Sequence, residues 1–374
     1  MRSTRMLTAL GVVLGLALAT SASAEAPLLK NAATGNPNLQ SIEAISFGPQ
    51  GLLLIGDGRG SQVVAVDTGD TTPQPWSQME MKGIKDQLAG RVGTTGKGIE
   101  IQKMVVNPAS QKAYFAVRIL SGKKDLILTV DGAGKINEFV LDSVKHTRVP
   151  LPTDKKVTKI TDITWAGDRV LVAAQANEEF GSKIFSISGD NQCSCFSTET
   201  YHVAHGRWET KAPIRTVIPY EEGGKKYVVG AFTCTPVVKY PIEDLKPEGK
   251  VKGVSVIELG NGNTPQDMFV YEKDGKKYIL MSTLRMSRFK QVGPSPYWTA
   301  RIDYDILREA DKNKINENAL RRVKSDPTVP LTDRAQVAAA FHGVAHMDRL
   351  DNGRALVVRT DSNGNMDLAV LGLP

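Results

Sequence analysis

Four of the five histidines in this chain of 374 residues fall into two short segments. His202 and His205 are three residues apart, and His342 and His346 are four residues apart. Neutral imidazole is the commonest metal ligand in proteins, and a thiolate together with imidazoles suits copper or zinc. If the fold brings Cys234 to the same place, these five residues predict a copper or zinc site. The alternative is that the histidines hydrogen-bond to backbone carbonyls, because neither spacing belongs to an established metal-binding motif.

Two local features bear on this site. Residues 331–340 have the composition of a helix with Thr332 as its N-cap, and this helix would lead towards the second pair of histidines. Cys193 and Cys195 flank a single serine, and Cys234 makes the number of cysteines odd. In an oxidising compartment two cysteines would usually pair. The sequence leaves open which of the three remains a thiol.

Charged side chains predict a second kind of chemistry, the recognition of a small ligand. The candidate ligand-binding residues are Lys103, Asp162, Arg207, Glu209, Arg215, Asp267 and Arg285. Guanidinium groups recognise carboxylates and phosphates, so a small anionic ligand is expected. A histidine beside a carboxylate would instead provide a general base. The pairs of this kind are His346 with Asp267 or Asp162, and His205 with Glu209.

The elements that must position these residues form a repeat. An apolar run, a turn rich in Gly, Asn, Asp or Pro, and a second apolar run recur along the chain, as in β-hairpins. The first runs lie at residues 42–47, 101–106, 160–165, 214–218, 265–270 and 344–347. Their partners lie at residues 52–55, 113–117, 170–173, 227–231, 278–281 and 355–358. Such a period indicates a repeat architecture.

The spacing of the repeats predicts an all-β fold, a single β-propeller of about six blades, with seven also compatible. Matching positions in successive repeats are separated by 59, 59, 54, 51 and 79 residues, and a four-stranded blade takes about 40–50. The long last interval contains polar, helix-prone residues, interpreted as a helical insertion near 304–340. The segment 26–30 precedes the first repeat. It is predicted to pair with the C-terminal strand and close the ring.

With this repeat the chain resembles exported WD40-like and NHL-like β-propellers over residues 26–374. The resemblance is architectural, because the chain has no Trp-Asp dipeptide and its Tyr297-Trp298-Thr299 run is followed by Ala300. The resemblance implies that the innermost strand of each blade starts at one face of a central channel. It also implies that the loop after the second strand returns to that face.

This implied geometry predicts which side chains meet. The residues expected at one channel mouth are Ala44, Lys103, Asp162, Thr216, Asp267 and His346. Consecutive blades would bring Asp162, Arg215, Asp267 and His346 to a common rim, and residues 201–215 would cross the same face. The alternative is a solvated channel whose charges only satisfy one another, because charged groups are rarely buried without partners.

The N-terminus predicts export from a bacterial-type cell. Arg2, Arg5, the apolar run 7–19 and small residues up to Ala24 form the pattern of a signal peptide. The predicted domains are therefore a signal peptide at 1–24 and a propeller at 25–374, in the periplasm or secreted. The formal net charge of +7 falls to +5 without Arg2 and Arg5. Charges of both signs alternate along the chain, so neither a nucleic-acid partner nor a membrane span is expected.

The sequence alone leaves three functions open. The first is a binding or scaffold propeller that holds a ligand, a metal or another exported protein on the channel face. The second is a hydrolase or lyase that uses a metal or a His/Asp pair on that face. The third is a copper-binding redox accessory protein. Gly-x-Ser-x-Gly, His-Glu-x-x-His and Cys-x-x-Cys-His motifs are absent, and whether the chain is an enzyme is not decided.

Overall fold

The computed structural model describes residues 28–152, 157–202, 205–234, 236–243, 249–260, 262–313, 320–321 and 334–374. The predicted signal peptide lies outside these residues. In the described residues the strands form six sheets arranged as the blades of a β-propeller. The prediction of an all-β propeller with six blades is thus confirmed. No helix in the described part of the chain has the length and apolarity needed to cross a membrane.

We number the blades by the chain order of their inner strands. Blade 1 contains, from the channel outwards, β2 (Ala44–Phe47), β3 (Leu52–Asp57), β4 (Gln62–Asp67), β10 (Val144–Pro150) and β1 (Ala33–Gly35). Blade 2 contains β6 (Ile99–Val106), β7 (Ala113–Ile119), β8 (Lys124–Val130) and β9 (Ile136–Phe139). Blade 3 contains β11 (Val157–Trp165), β12 (Arg169–Ala176), β13 (Ser182–Ser188), β14 (Cys193–His202) and β15 (Arg207–Glu209), with β19 (Lys250–Lys252) parallel to β14.

The other three blades complete the ring. Blade 4 contains β16 (Ile214–Glu222), β17 (Lys225–Phe232), β18 (Pro236–Pro241) and β20 (Val254–Glu258), with β24 (Leu320–Arg321) parallel to β20. Blade 5 contains β21 (Asn263–Lys273), β22 (Lys276–Arg285), β23 (Tyr297–Asp303) and β25 (Ala335–Val337). Blade 6 contains β26 (Val344–Arg349), β27 (Arg354–Thr360), β28 (Met366–Gly372) and β5 (Glu80–Met81). The α-helices within the described ranges are α1 (Ile84–Arg91) and α2 (Ile306–Asn313).

The blades do not follow one another around the ring in chain order. Contacts between inner strands give the cyclic order 2, 1, 3, 4, 5, 6, in which blade 1 lies between blades 2 and 3. The linker after β4 therefore has to pass blade 2. It does so along the turn between β6 and β7, where the Gln74 amide donates to the Ser110 carbonyl at 2.8 Å. The indole of Trp76 donates to the Gln111 carbonyl at 2.5 Å. This order corrects the expectation that consecutive repeats are neighbours throughout.

The ring closes differently from the prediction. Strand β28 pairs with β5, which the linker delivers after passing blade 2. An N-terminal segment thus completes the last blade, but the segment is Glu80–Met81 and not residues 26–30. Of the latter, Leu28 and Leu29 are buried in a core cluster between blades 1 and 3, and β1 pairs with β10 in blade 1. Their burial explains why these residues are apolar without forming the closing strand.

The stretch before the last repeat is only partly helical. Helix α2 lies within the predicted insertion near 304–340, much of which is outside the described residues. The prediction of a helix over 331–340 is wrong where the structure describes it, because Ala335–Val337 is strand β25 and a short 3-10 turn follows at Ala339–Phe341. Pairing of β25 with β23 completes the sheet of blade 5. Tertiary pairing here overrides local helix preference.

The core lies between blades rather than at one centre. Six clusters of buried apolar side chains each fill the space between two neighbouring blades. The middle strands are buried on both faces, as in β3, whose six residues are all buried. A strand covered on both sides has to be a continuous apolar run rather than an alternating one. This explains the runs from which the repeats were recognised.

Two faces of the propeller are used below. The start face is the one at which the inner strands begin, as at Gly98, Pro213 and Gly343. The turn face is the opposite one, where turns such as 107–112 and 223–224 join the first and second strands of each blade.

Candidate functional site

An ion-paired layer crosses the central channel. Lys103 Nζ lies 3.0 Å from Asp162 Oδ1 and 2.6 Å from Asp267 Oδ1. The three residues come from β6, β11 and β21, which occupy alternate positions in the ring. The side chain of Lys103 therefore crosses the channel to reach two blades that are not its neighbours in the ring. The structure brings these three predicted residues together.

A bulge in the inner strands places this layer. The pairing register shifts immediately before Lys103, Asp162, Thr216 and His346, and between Pro265 and Met268 around Asp267. A β-bulge inserts an extra residue and re-aims the side chains beside it. Lys103, Asp162 and Asp267 thus lie inside the channel. The sequence placed these residues at the rim of one face, and the structure instead places them in a layer between the two faces.

Both carboxylates of the layer also bond to a neighbouring blade. Asp162 Oδ2 accepts hydrogen bonds from the Thr216 hydroxyl at 2.8 Å and the Val217 amide at 2.9 Å. Asp267 Oδ2 accepts one from the Met347 amide at 2.9 Å. Buried carboxylates need such donors, because an unpaired buried charge is costly. The layer therefore holds blades together, whatever else it does.

The same kind of link joins other blades. Glu43 Oε2 accepts from the Ile160 amide at 2.7 Å, and Asp348 Oδ2 from the Val106 amide at 2.8 Å. Asp125 Oδ2 accepts from the Ile42 amide at 2.8 Å. With the two aspartates of the layer, carboxylates connect five of the six pairs of neighbouring blades. Blades 4 and 5 are joined by a backbone bond, from the Cys234 amide to the Asn263 carbonyl at 2.9 Å.

Burial and neighbouring charges act on the channel groups in opposite directions. Burial disfavours the charge on Lys103, but the carboxylates of Asp162 and Asp267 outweigh it and raise the pKa of the lysine. Burial lowers the pKa of His346, and Lys103 adds to this effect while Asp267 opposes it. Burial also raises the pKa of Asp348 to about 6, despite its hydrogen bonds from two backbone amides. Asp348 is thus the carboxyl in the channel whose charge changes near neutral pH.

A cavity of about 360 Å³ lies on the turn-face side of this layer. All six inner strands line the cavity. On β6, β11 and β21 its lining begins at Lys103, Asp162 and Asp267 and continues only towards the turn face. Its ionisable groups are three carboxyls and two cations, namely Asp162, Asp267, Asp348, Lys103 and Arg349. Its walls include the apolar residues Met268, Phe269 and Met347. The cavity thus opens away from the start face, on which the sequence placed the site.

The proposed general base of the channel is not assembled as a hydrogen-bonded pair. His346 Nδ1 lies 3.7 Å from Asp267 Oδ2, which exceeds hydrogen-bonding distance. Asp267 is already occupied by Lys103 and by the Met347 amide. Arg215 lies at the bulge of β16, where burial lowers the pKa of its guanidinium and Asp162 opposes that effect. Among the described residues, His346 Nδ1 and Arg215 Nε are buried without a hydrogen-bond partner, so neither is held in a catalytic arrangement with Asp267 or Asp162.

A second cluster of ionisable residues lies at the end of the β14–β15 hairpin, at the start face. His202, His205 and Glu209 offer ligand atoms that lie within 4.8 Å of one another. His205 Nδ1 donates to Glu209 Oε1 at 2.8 Å, and Arg207 Nε donates to the same oxygen at 3.1 Å. Burial alone would raise the pKa of Glu209, but these hydrogen bonds lower it. Burial lowers the pKa of His202 to about 4, so its imidazole is neutral at pH 7.

The remaining predicted metal ligands are not part of this cluster. Among the described residues, the only group of three or more His, Cys, Asp or Glu residues close enough to share an ion is His202, His205 and Glu209. Cys234 follows β17, His342 precedes β26 beside Gly293, and His346 lies in the channel. Arg285 Nε donates to the Lys290 carbonyl at the end of blade 5. The single site predicted from the sequence is therefore divided between several places.

The cysteines occupy opposite ends of their blades. Cys193 and Cys195 lie at the beginning of β14, towards the turn face, and Cys234 follows β17 at the start face. All three are present as thiols. Burial raises the pKa of Cys193 to about 11, so its thiol is protonated at neutral pH.

Sequence reasoning missed the roles of Asp348 and Asp125. Asp348 lies two residues after His346 on the same strand, so strand alternation alone puts both side chains on one face. That signal was present and could have been used. Asp125 lies on β8, the third strand of blade 2, and only the cyclic order of the blades brings it to the Ile42 amide.

Comparison with known proteins identifies similar architectures without a close relative. No protein-family model matches the chain, and no curated protein matches it significantly. Among solved structures, it is similar to a GH43 endo-arabinanase from Bacillus licheniformis (13% identity, TM-score 0.37, covering 72% of this chain and 93% of that one). It is also similar to an exo-1,5-α-L-arabinanase from a bovine ruminal metagenomic library (14%, 0.38, 74% and 93%) and to a Trypanosoma rangeli sialidase (10%, 0.37, 88% and 54%). Similarities of this size do not identify a function.

Proposed function

We propose that this chain is an exported β-propeller that binds a small organic cation in its central channel. The observation that carries the proposal is the cavity of about 360 Å³ enclosed by all six inner strands, with the ion-paired layer as its floor. Its volume falls within the range of about 300–1,000 Å³ that is usual for small-molecule sites.

The charge of the lining favours a cation over the small anion expected from the arginines. Lys103 is already paired with Asp162 and Asp267, so it offers little to an incoming anion. Asp348 and the exposed Arg349 are the other charged residues of the lining. With three carboxyls against two cations, one positive charge on the ligand would neutralise the cavity. The methionines and Phe269 would contact an apolar part of the same ligand.

The other two functions have less support from the geometry. A hydrolase or lyase in the channel would need a general base, and His346 is not hydrogen-bonded to Asp267. A copper redox protein was predicted on the basis of Cys234 joining the histidines, and Cys234 lies outside the His202 cluster. Binding requires neither arrangement, only a charged cavity that a ligand can enter from the turn face.

Three probes with one carbon skeleton test the charge preference, namely 2-phenylethylamine, 2-phenylethanol and phenylacetate. The chain would be expressed with residues 1–24, purified from the periplasmic fraction, and examined by isothermal titration calorimetry. We expect a mature N-terminus at Glu25, measured by mass spectrometry. The amine should bind more tightly than the alcohol, and phenylacetate should not bind. Asp348→Asn should weaken binding of the amine by about tenfold, the loss expected for one charge-assisted hydrogen bond.

Asp351→Asn is the matched control, because Asp351 pairs with Arg354 in the following turn and does not line the cavity. It should leave binding of the amine unchanged. Equal binding of the three probes, tighter binding of phenylacetate, or no binding by any of them would contradict the proposal. An uncleaved N-terminus would contradict export independently of the ligand.

A further inference from the structure

His202 is a buried polar side chain at the end of the β14–β15 hairpin. It is 1% exposed, and neither of its ring nitrogens has a hydrogen-bond partner among the described residues. One face of the ring stacks on His205, with centroids 5.4 Å apart, and Phe232 packs edge-on at 6.3 Å. Buried polar groups are nearly always satisfied, and leaving one unsatisfied costs about 1–3 kcal/mol. A histidine that only filled space here would be less favourable than an apolar residue.

The neighbours of His202 supply the rest of a ligand set. His205 and Glu209 are joined by a hydrogen bond of 2.8 Å, and their side chains are 31% and 18% exposed. A nitrogen or oxygen of each residue lies within 4.8 Å of the others. The set therefore has one member anchored in the core between blades 3 and 4 and two members reachable from solvent. An ion could enter from the start face without opening the fold.

We propose that His202, His205 and Glu209 bind a divalent transition-metal ion, with Zn²⁺ as the best match. Two imidazoles and one carboxylate form a ligand set found in zinc sites, and they leave a fourth position for water or another ligand. Metal–ligand bonds of about 2.0–2.2 Å in a tetrahedron put ligand atoms roughly 3.4 Å apart. The ligand atoms, which lie within 4.8 Å of one another, would have to approach by up to about 1.4 Å, and rotation of the solvent-facing His205 and Glu209 side chains would supply this approach.

The site is separate from the proposed ligand cavity. It lies at the outer edge of blade 3 on the start face, whereas the cavity opens to the turn face. The metal would neutralise Glu209 and satisfy a nitrogen of His202, and it would tie the end of the β14–β15 hairpin to the core. This inference does not depend on what the channel binds.

The test is a Zn²⁺ titration of the mature chain after treatment with a chelator, using competition with a chromophoric indicator. We expect one ion per chain. His205→Ala and Glu209→Gln should each weaken Zn²⁺ binding by at least about 10- to 100-fold, because a loss of that size is typical for residues that only hydrogen-bond to a metal ligand. Co²⁺ added to the wild type should give the intense visible absorption of a four-coordinate site, and both variants should lose it.

His146→Gln is the matched control. His146 is also buried, but its Nδ1 lies 3.1 Å from the Val144 carbonyl and it is outside the cluster. It should leave the zinc affinity and the cobalt spectrum unchanged. Circular dichroism of each variant would show that the fold is retained. Absence of stoichiometric Zn²⁺ binding by the wild type, or binding that both cluster variants retain in full, would overturn the proposal.

Discussion

The channel layer and the β14–β15 hairpin both contain buried ionisable residues, but the two regions differ in how the hydrogen-bonding groups of those residues are satisfied. In the channel, Asp162 and Asp267 each accept a backbone amide of the next blade and also the ammonium of Lys103. In the hairpin, His202 is also buried, and neither of its nitrogens has a hydrogen-bond partner within the described part of the chain. Burial of an ionisable group therefore does not by itself indicate a site.

The difference has a physical basis in where donors are available. At the bulges of the inner strands, backbone amides point towards the neighbouring blade, and a carboxylate there completes the pairing between sheets. At the outer edge of blade 3, beside the short strand β15, the side chain of His202 lies between the ring of His205 and the apolar Phe232. The channel layer thus stabilises the ring, and the hairpin retains unused ligand atoms. Three substitutions would test this contrast.

The largest effect is expected for Lys103→Met. The substitution leaves two buried carboxylates without their shared cation, and breaking a buried pair in this way costs about 3–5 kcal/mol. The free energy of unfolding, measured by urea denaturation, should fall by that amount. Lys82→Met is the control, because Lys82 forms its ion pairs with Glu80 and Asp367 on the surface, where such pairs contribute little. A small loss for Lys103→Met would show that the layer is not structural.

A smaller, pH-dependent effect is expected for Asp348→Asn. Burial raises the pKa of this carboxyl from 3.8 to about 6 in the folded chain. Between these values the folded state keeps a proton that the unfolded state has lost, so the group favours folding at low pH and ceases to do so as the pH rises through about 6. Asparagine cannot ionise. Relative to wild type, the free energy of unfolding of the variant should rise from about pH 4 to pH 6 and then level off.

Denaturation curves at several pH values check this prediction. A difference between variant and wild type that stays constant over the range would mean that Asp348 ionises as an exposed aspartate does. The channel would then be wetter than its burial indicates.

The smallest effect is expected for His202→Leu in the presence of a chelator. Leucine removes two unsatisfied nitrogens and keeps the contact with Phe232, so the free energy of unfolding should stay the same or rise by about 1 kcal/mol. With Zn²⁺ present, the wild type should gain stability from binding and the variant should not. Thermal unfolding with and without Zn²⁺ measures both. If His202→Leu clearly lowered the free energy of unfolding in the presence of chelator, His202 would have a structural role, as the channel residues do.

Much of the architecture could be predicted from sequence. The apolar runs at 52–55 and 170–173 lie within β3 and β12, and the segments that join them to the preceding runs are hairpin turns. These features are local, because a strand covered on both faces and a tight turn each impose their own composition. The count of six blades followed from them. The candidates Lys103, Asp162 and Asp267 were also found in this way, by their common position in the repeat.

The sequence by itself determined most strands and turns and a count of about six blades, and it gave Lys103, Asp162 and Asp267 a common position in the repeat, because each of these depends on a few neighbouring residues. Only the tertiary structure decided that blade 1 lies between blades 2 and 3, that Glu80–Met81 closes the ring, and which charges pair. Sheet edges are similar in every blade, so local composition does not specify which edge a strand joins. The sequence also does not show whether a buried ionisable side chain has a hydrogen-bond partner. The Met347 amide that bonds to Asp267 belongs to a strand far away along the chain, and only the fold brings the two together.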